Sequence, residues 1–151
     1  MYRIPKVKIS MVRESSVASE YKTVTTSAQA NSIIRTMLED NDREEFIVLL
    51  LDAKHKVSAV HSVSVGTLTL SIVHPREVYK AAILANSASI ILAHNHPSGD
   101  PTPSQEDRIL TKRLCEAGKI LGIRVLDHIV MGEAGRFYSF ADHGDMPHIE
   151  E

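Results

Sequence analysis

The sequence predicts one α/β (α+β) domain, a mixed β-sheet flanked by helices. Segments that alternate with period two and segments with apolar residues three and four apart follow one another, so strands and helices are interleaved. The stretch "EEFIVLLLD" is apolar on both faces, as a strand central to a covered sheet must be. The chain has 151 residues, 43% of them hydrophobic, which suits one compact core, and no linker or internal repeat divides it.

Each element has its own signal. Val7, Ile9 and Met11 alternate with Lys6, Lys8 and Ser10, the pattern of a half-exposed strand. The polar connection "ESSVASEYKTVTTS" ends at Ser27, a candidate N-cap. Ile33, Ile34, Met37 and Leu38 form a helical stripe within residues 28–40, and "EEFIVLLLD" is the strand that follows. After the turn "DAKHK", "VSAVHSVSVG" and "TLTLSIV" alternate like sheet strands. His74-Pro75 opens a helix with proline at its first position, running to Asn86. "ASIILAHNH" is a second buried strand. The loop "PSGDPTP", with a glycine and three prolines, continues neither strand nor helix. Ser104 begins a long helix with Leu110, Leu114, Ala117 and Leu121 on one face and Gly122 as its stop. "IRVLDHIVMG" and "RFYSF" are the last strands. Residues 1–26 are thus expected as an N-terminal extension, 27–140 as the domain, and 141–151 as a polar, frayed tail with four acidic residues and no Lys or Arg.

Composition excludes some classes of function. Seventeen basic and nineteen acidic residues give a net charge of -2, with no global attraction to nucleic acid or to an anionic membrane. The apolar runs are too short to span a bilayer, and the first residues lack an apolar stretch of signal-peptide length. A single cysteine, Cys115, is compatible with a reducing compartment. The expectation is a cytoplasmic protein.

The chemistry is concentrated in "HNHPSGDPTPSQED", residues 94–107. Strand residues two apart share a face, so His94 and His96 project together while Asn95 points away. Asp107 follows one turn into the next helix, where its carboxylate can return toward the strand end. Two imidazole nitrogens, one carboxylate oxygen and an open position make the ligand set of a catalytic zinc site. Ser104, three before Asp107, reads as the N-cap of a capping box, or as a hydroxyl beside the metal donating to a developing oxyanion. The two roles are compatible.

His94-x-His96, seven residues, Ser104, two residues and Asp107 match the JAMM metalloprotease signature. The stretch from "GTLTLSIVHPREVYKAAILANSASIILAHNHPSGDPTPSQEDRILTKRL" to "LGIRVLDHIVMG" resembles more closely the bacterial RadC-like JAB domain, over roughly residues 28 to 140. The resemblance implies the JAMM/MPN architecture, of the cytidine-deaminase-like type, with one Zn2+ ion. It also implies hydrolysis of a peptide, isopeptide or other amide bond in a protein or peptide substrate. It adds a glutamate before the central strand, which holds the attacking water and moves its proton, the base such chemistry requires. Glu44 and Glu45 are the candidates. They face opposite sides of a strand, and the resemblance favours Glu44.

The remaining polar residues carry smaller expectations. The resemblance places His128 near the site, against an equal reading as a hydrogen-bonded core histidine. Asp127 is a candidate acceptor for an imidazole N–H. His74 reads as structural, Asp100 as a turn former with Ser98 and Gly99, Cys115 as a packed hydrophobe, and His55, His61, His143 and His148 as surface residues. Longer RadC proteins carry an N-terminal helix-hairpin-helix DNA-binding region whose hairpin needs glycine. No glycine precedes Gly66 here, so these residues are not expected to form one. Arg3, Lys6, Lys8 and Arg13 leave a small basic arm, and the alternative reading is a non-catalytic protein- or DNA-binding module associated with DNA repair.

Overall fold

The computed structural model describes residues 1–66 and 72–150. Along them run α1 (Ser27–Leu38), β1 (Glu45–Leu51), β2 (Val57–Val65), α2 (Pro75–Leu84), β3 (Ser89–Asn95), α3 (Gln105–Leu121), β4 (Arg124–Met131) and β5 (Phe137–Ser139). The described strands make one sheet in the order β2-β1-β3-β4-β5. β3 and β4 are parallel and every other neighbouring pair is antiparallel, so the sheet is mixed, as the sequence predicts.

The doubly apolar strands occupy the middle. β1 and β3 alternate their side chains between two cores. Phe46, Val48, Leu50, Ile90 and Leu92 meet Val78 of α2 and Leu110 and Leu114 of α3. Ile47, Leu49, Ile91 and Ala93 meet Ile33, Ile34 and Leu38 of α1 on the other face. All seven residues of β3 are buried, because strands flank both its edges and helices cover both its faces. α3 links β3 to its parallel partner β4, the crossover that a parallel pair requires.

Local chemistry sets the helix ends. Pro75 opens α2, and the His74 ring caps it by accepting from the Arg76 N–H at 3.1 Å. At α3, Ser104 Oγ accepts from the Asp107 N–H at 3.1 Å and Asp107 Oδ2 accepts from the Ser104 N–H at 2.8 Å, a complete capping box. Gly122, at φ 71°, ends that helix in the left-handed conformation. α1 is capped by Thr26 rather than by Ser27, which becomes its first residue.

Two further expectations fail and one is only partly covered. The alternating segment around Val7, Ile9 and Met11 is not a strand: residues 1–19 have no regular structure, and these exposed side chains belong to no strand pairing among the described residues. The chain joins the sheet edge only near Thr23, which bridges Lys56. The tail is not frayed. Asp145 N–H bonds to the Phe140 carbonyl, Asp145 pairs with Arg108 of α3 at 3.3 Å, and Met146 packs on the core. In "TLTLSIV", residues 67–71 lie outside the described ones, while Ile72 and Val73 form a turn with Val73 buried.

Gly118 allows α2 and α3 to approach. The Tyr79 hydroxyl donates to the Leu114 carbonyl at 2.8 Å, and a Cβ on Gly118 would lie 2.4 Å from both the Ile123 carbonyl oxygen and the Tyr79 hydroxyl. Gly118→Ala would gain about 1 kcal/mol of helix propensity. Overpacking costs about 1–3 kcal/mol and here strikes backbone, so the loss dominates. We expect a lower denaturation midpoint for Gly118→Ala, and an unchanged or higher one would contradict this contact.

Candidate metal centre

The site forms where β3 leaves the sheet. Period-two alternation sends Ile90, Leu92 and His94 to the α3 side, and the His94 ring stacks on Phe46, its partner in β1 (centroids 6.0 Å apart, planes at 13°). His96 lies just past the strand and still bonds through its N–H to the Met131 carbonyl. The loop to α3 is held close to the β4–β5 connection. The Gly99 carbonyl accepts from the Glu133 N–H and the Arg136 guanidinium, and a Cβ on Gly99, at φ +90°, would strike the Glu133 side chain.

The capping box then delivers Asp107 to the strand end. Asp107 Oδ1 lies 3.3 Å from His94 Nε2, Asp107 Oδ2 lies 3.1 Å from His96 Nε2, and the two Nε2 atoms are 3.0 Å apart. Among the described residues, these three form the one group of His, Cys, Asp or Glu side chains whose ligand atoms all fall within 4.8 Å of one another. His96 Nδ1 is 2.9 Å from the Asp100 carbonyl, which bears no proton, so Nδ1 must donate. The lone pair of neutral His96 is therefore on Nε2, facing His94 and Asp107. Such a convergence of basic atoms needs a cation or a shared proton, and its two-nitrogen, one-oxygen composition fits a divalent transition metal.

Electrostatics agree with that geometry. Burial opposes charge on His96, but the hydrogen bonds to Asp107 and the Asp100 carbonyl, with the charges of Asp107 and Glu44, raise its pKa above the ordinary value. Burial also pushes Asp107 up, yet His94 and His96, when protonated, donate hydrogen bonds to it and hold its carboxyl far below the usual range. Fully buried His128 is pushed well below the ordinary histidine value, chiefly by desolvation, and is neutral.

The structure separates the two glutamates. Glu45 has its carboxylate bonded to Asn41 Nδ2 at 3.0 Å and Ser62 Oγ at 2.7 Å, away from the histidines. Glu44, of the same parity as Phe46, is close enough for its charge to act on His96. Ser104 is the α3 cap, and the cap uses its lone pair while leaving the hydroxyl proton available.

Other expectations are met differently. Asp127 serves no imidazole: its carboxylate accepts from Ser139 Oγ and from the backbone N–H groups of Ala141 and His128, because its side chain turns toward the β5 end. The acceptors for the ring N–H groups are instead the Asp100 carbonyl and His128 Nε2, the latter 2.8 Å from His94 Nδ1. Asp100 is the expected turn former, its carboxylate bound by Thr102, and it contributes to the site only through its backbone. Cys115 packs against the core with its thiol pushed up to about 11 by burial. His61, His143 and His148 are exposed, whereas His55 is half-buried in a left-handed turn.

Two residues escaped the sequence reading. Thr111, one turn after Asp107, contacts His128. Asn95, assigned only to the opposite face, accepts from the Glu45 N–H at 2.8 Å and donates to the Arg43 carbonyl at 2.8 Å, clamping the residues on either side of Glu44. The signal for Asn95 was an amide inside a fully buried strand, which must find partners.

A mixed sheet that brings two histidines from its central strand to an aspartate on the following helix has the architecture of a JAB (JAMM/MPN) domain. The chain matches the sequence model of the RadC-like JAB domain over residues 24–145 and belongs to that family. It is 58% identical over 107 residues to a UPF0758 protein of Desulforamulus reducens, covering 71% of this chain and 47% of that protein. It is 49% identical over 121 residues to one of Rubrobacter xylanophilus (80% and 52%), and 45% identical over 131 residues to one of Methanosarcina barkeri (87% and 57%). The chain spans about half the length of these relatives. No helix among the described residues is long and apolar enough to cross a membrane.

The Asn95 clamp can be tested directly. Asn95→Ala removes the acceptor of the part-buried Glu45 N–H and the donor to the part-buried Arg43 carbonyl, at about 0.5–1.5 kcal/mol for each bond. We expect reduced stability and faster amide hydrogen exchange at Glu45; an equally protected Glu45 amide would show that the clamp holds nothing.

Proposed function

We propose that this chain is a zinc-dependent hydrolase acting on an amide bond, peptide or isopeptide, of a protein or peptide substrate. The observation that carries the reading is the convergence of His94 Nε2, His96 Nε2 and the Asp107 carboxylate at the end of the central strand. These three residues would hold the ion. Zinc bound there supplies Lewis acidity, lowering the pKa of a water to about 7.

The protein's own groups complete the chemistry. Glu44, just before β1, with its neighbours Arg43 and Glu45 held by Asn95 and its charge felt at His96, takes the proton of the attacking water and returns it to the leaving amine. Ser104 donates a hydrogen bond from its hydroxyl to the carbonyl oxygen as negative charge develops there. Asp107 is held at Oδ2 by the Ser104 N–H, so the residue at the helix cap also orients the carboxylate.

Metal content by mass spectrometry, with His96→Ala alongside, is the first test. We expect one equivalent of zinc, lost in the variant. If both proteins stay metal-free after zinc is offered, the reading fails. Metal-free His96 holds its proton more tightly than an ordinary imidazole, so zinc uptake should release a proton and weaken as pH falls. A zinc affinity that does not change with pH would contradict the site.

Glu44→Gln should retain zinc while turnover of quenched peptides and lysine-linked isopeptides drops about 10²- to 10⁴-fold. Unchanged turnover would remove Glu44 from the mechanism. Salt-sensitive duplex binding without hydrolysis of any substrate would favour a binding module instead.

A further inference from the structure

We infer that Thr111 and His128 are positioning residues that keep the His94 proton on Nδ1, so that its Nε2 lone pair faces His96 and Asp107. The assignment begins at an atom with no choice. The Asp107 main-chain carbonyl oxygen has no proton and lies 2.6 Å from Thr111 Oγ1, so the threonine hydroxyl must donate to it. With its one proton committed, Thr111 Oγ1 can only accept from His128 Nδ1, 2.7 Å away.

His128 is wholly enclosed, and the neighbouring Asp127 carboxylate meets its backbone N–H rather than its ring. A neutral His128 that donates from Nδ1 has its lone pair on Nε2. That atom is 2.8 Å from His94 Nδ1, which therefore donates. The His94 lone pair is left on Nε2, 3.0 Å from His96 Nε2 and 3.3 Å from Asp107 Oδ1. Ring stacking limits rotation at both stations: His94 on Phe46, and His128 on Phe140 with planes 15° apart.

The consequence concerns α3. Asp107 and Thr111 are one turn apart on the same helix face, so one element supplies the carboxylate and also fixes the proton of an opposing imidazole. Without the Thr111 hydroxyl, His128 can place its proton on Nε2 and push the His94 proton onto the atom that faces the other two groups. The effect on metal binding rests on the zinc reading above, whereas the proton placement does not.

Thr111→Val removes the hydroxyl with little change of shape, and Thr111→Ser keeps it. Long-range proton–nitrogen NMR of the metal-free wild type at alkaline pH should show His94 and His128 protonated on Nδ1. In Thr111→Val the His94 proton should move toward Nε2. Zinc affinity, measured by competition with a chromogenic chelator, should fall about 10- to 100-fold in the valine variant and recover with serine. A wild-type His94 protonated on Nε2 overturns the inference, as does a valine variant that binds zinc as tightly as the wild type. If the valine variant does not fold, the wild-type spectrum still decides the proton placement. Tautomers as assigned in a wild type that takes up no zinc would support the relay and refute only the hydrolase reading.

Discussion

The alternation of β3 is the constraint from which the rest follows. Because the strand is covered on both faces and flanked on both edges, its even-numbered residues from Ile90 to His94 all point to the α3 side, while Ile91, Ala93 and Asn95 point to the α1 side. Apolar residues fill this alternation until the last turn of chemistry, where His94 takes the place a core residue would occupy. Burying an imidazole there is tolerable because its Nδ1 is hydrogen-bonded to His128 and its Nε2 opens on the cluster with His96 and Asp107. The same alternation places Asn95 where it can grip β1 from the opposite face. A shift of one residue would exchange these two jobs and leave both groups unsatisfied.

α3 is the second organiser, and it works at several scales. Its capping box satisfies the exposed N–H groups of its first turn and in doing so orients Asp107. One turn later Thr111 is wholly buried against His128. Further along, Leu114 packs in the core and Gly118 admits Tyr79. Stability and site geometry are therefore not separable along this helix. The folded-back tail adds to its outer side through Arg108 and Asp145, an exposed pair whose own contribution is small. The packing of Met146 contributes burial there as well.

Much of this was legible because short-range chemistry wrote it. Both ends of α3, the proline start of α2 and the double burial of β1 and β3 follow from capping, proline geometry and apolar patterning. The spacing of His94, His96 and Asp107 was legible for the same reason: strand parity and one turn of helix are fixed lengths. What failed depended on distant partners. Alternation at Val7, Ile9 and Met11 cannot make a strand without a neighbour, and the acidic tail is ordered by Arg108 and the core beneath it. Asp127 was given an imidazole to serve, whereas the β4–β5 turn brings Ser139 and Ala141 to it first.

By itself, then, the sequence determined the element types, the central place of the apolar strands and the set of groups at the strand end, since these depend on periods of 2 and 3.6 and on local caps. The tertiary structure showed that Glu45 is engaged elsewhere, because Asn41 and Ser62 bind its carboxylate. It alone decided where the imidazole protons lie, because that depends on Thr111, His128 and the Asp100 carbonyl meeting two histidines across elements far apart in the chain. Proton position is set by the nearest acceptor in space, and no spacing along a sequence specifies that neighbour.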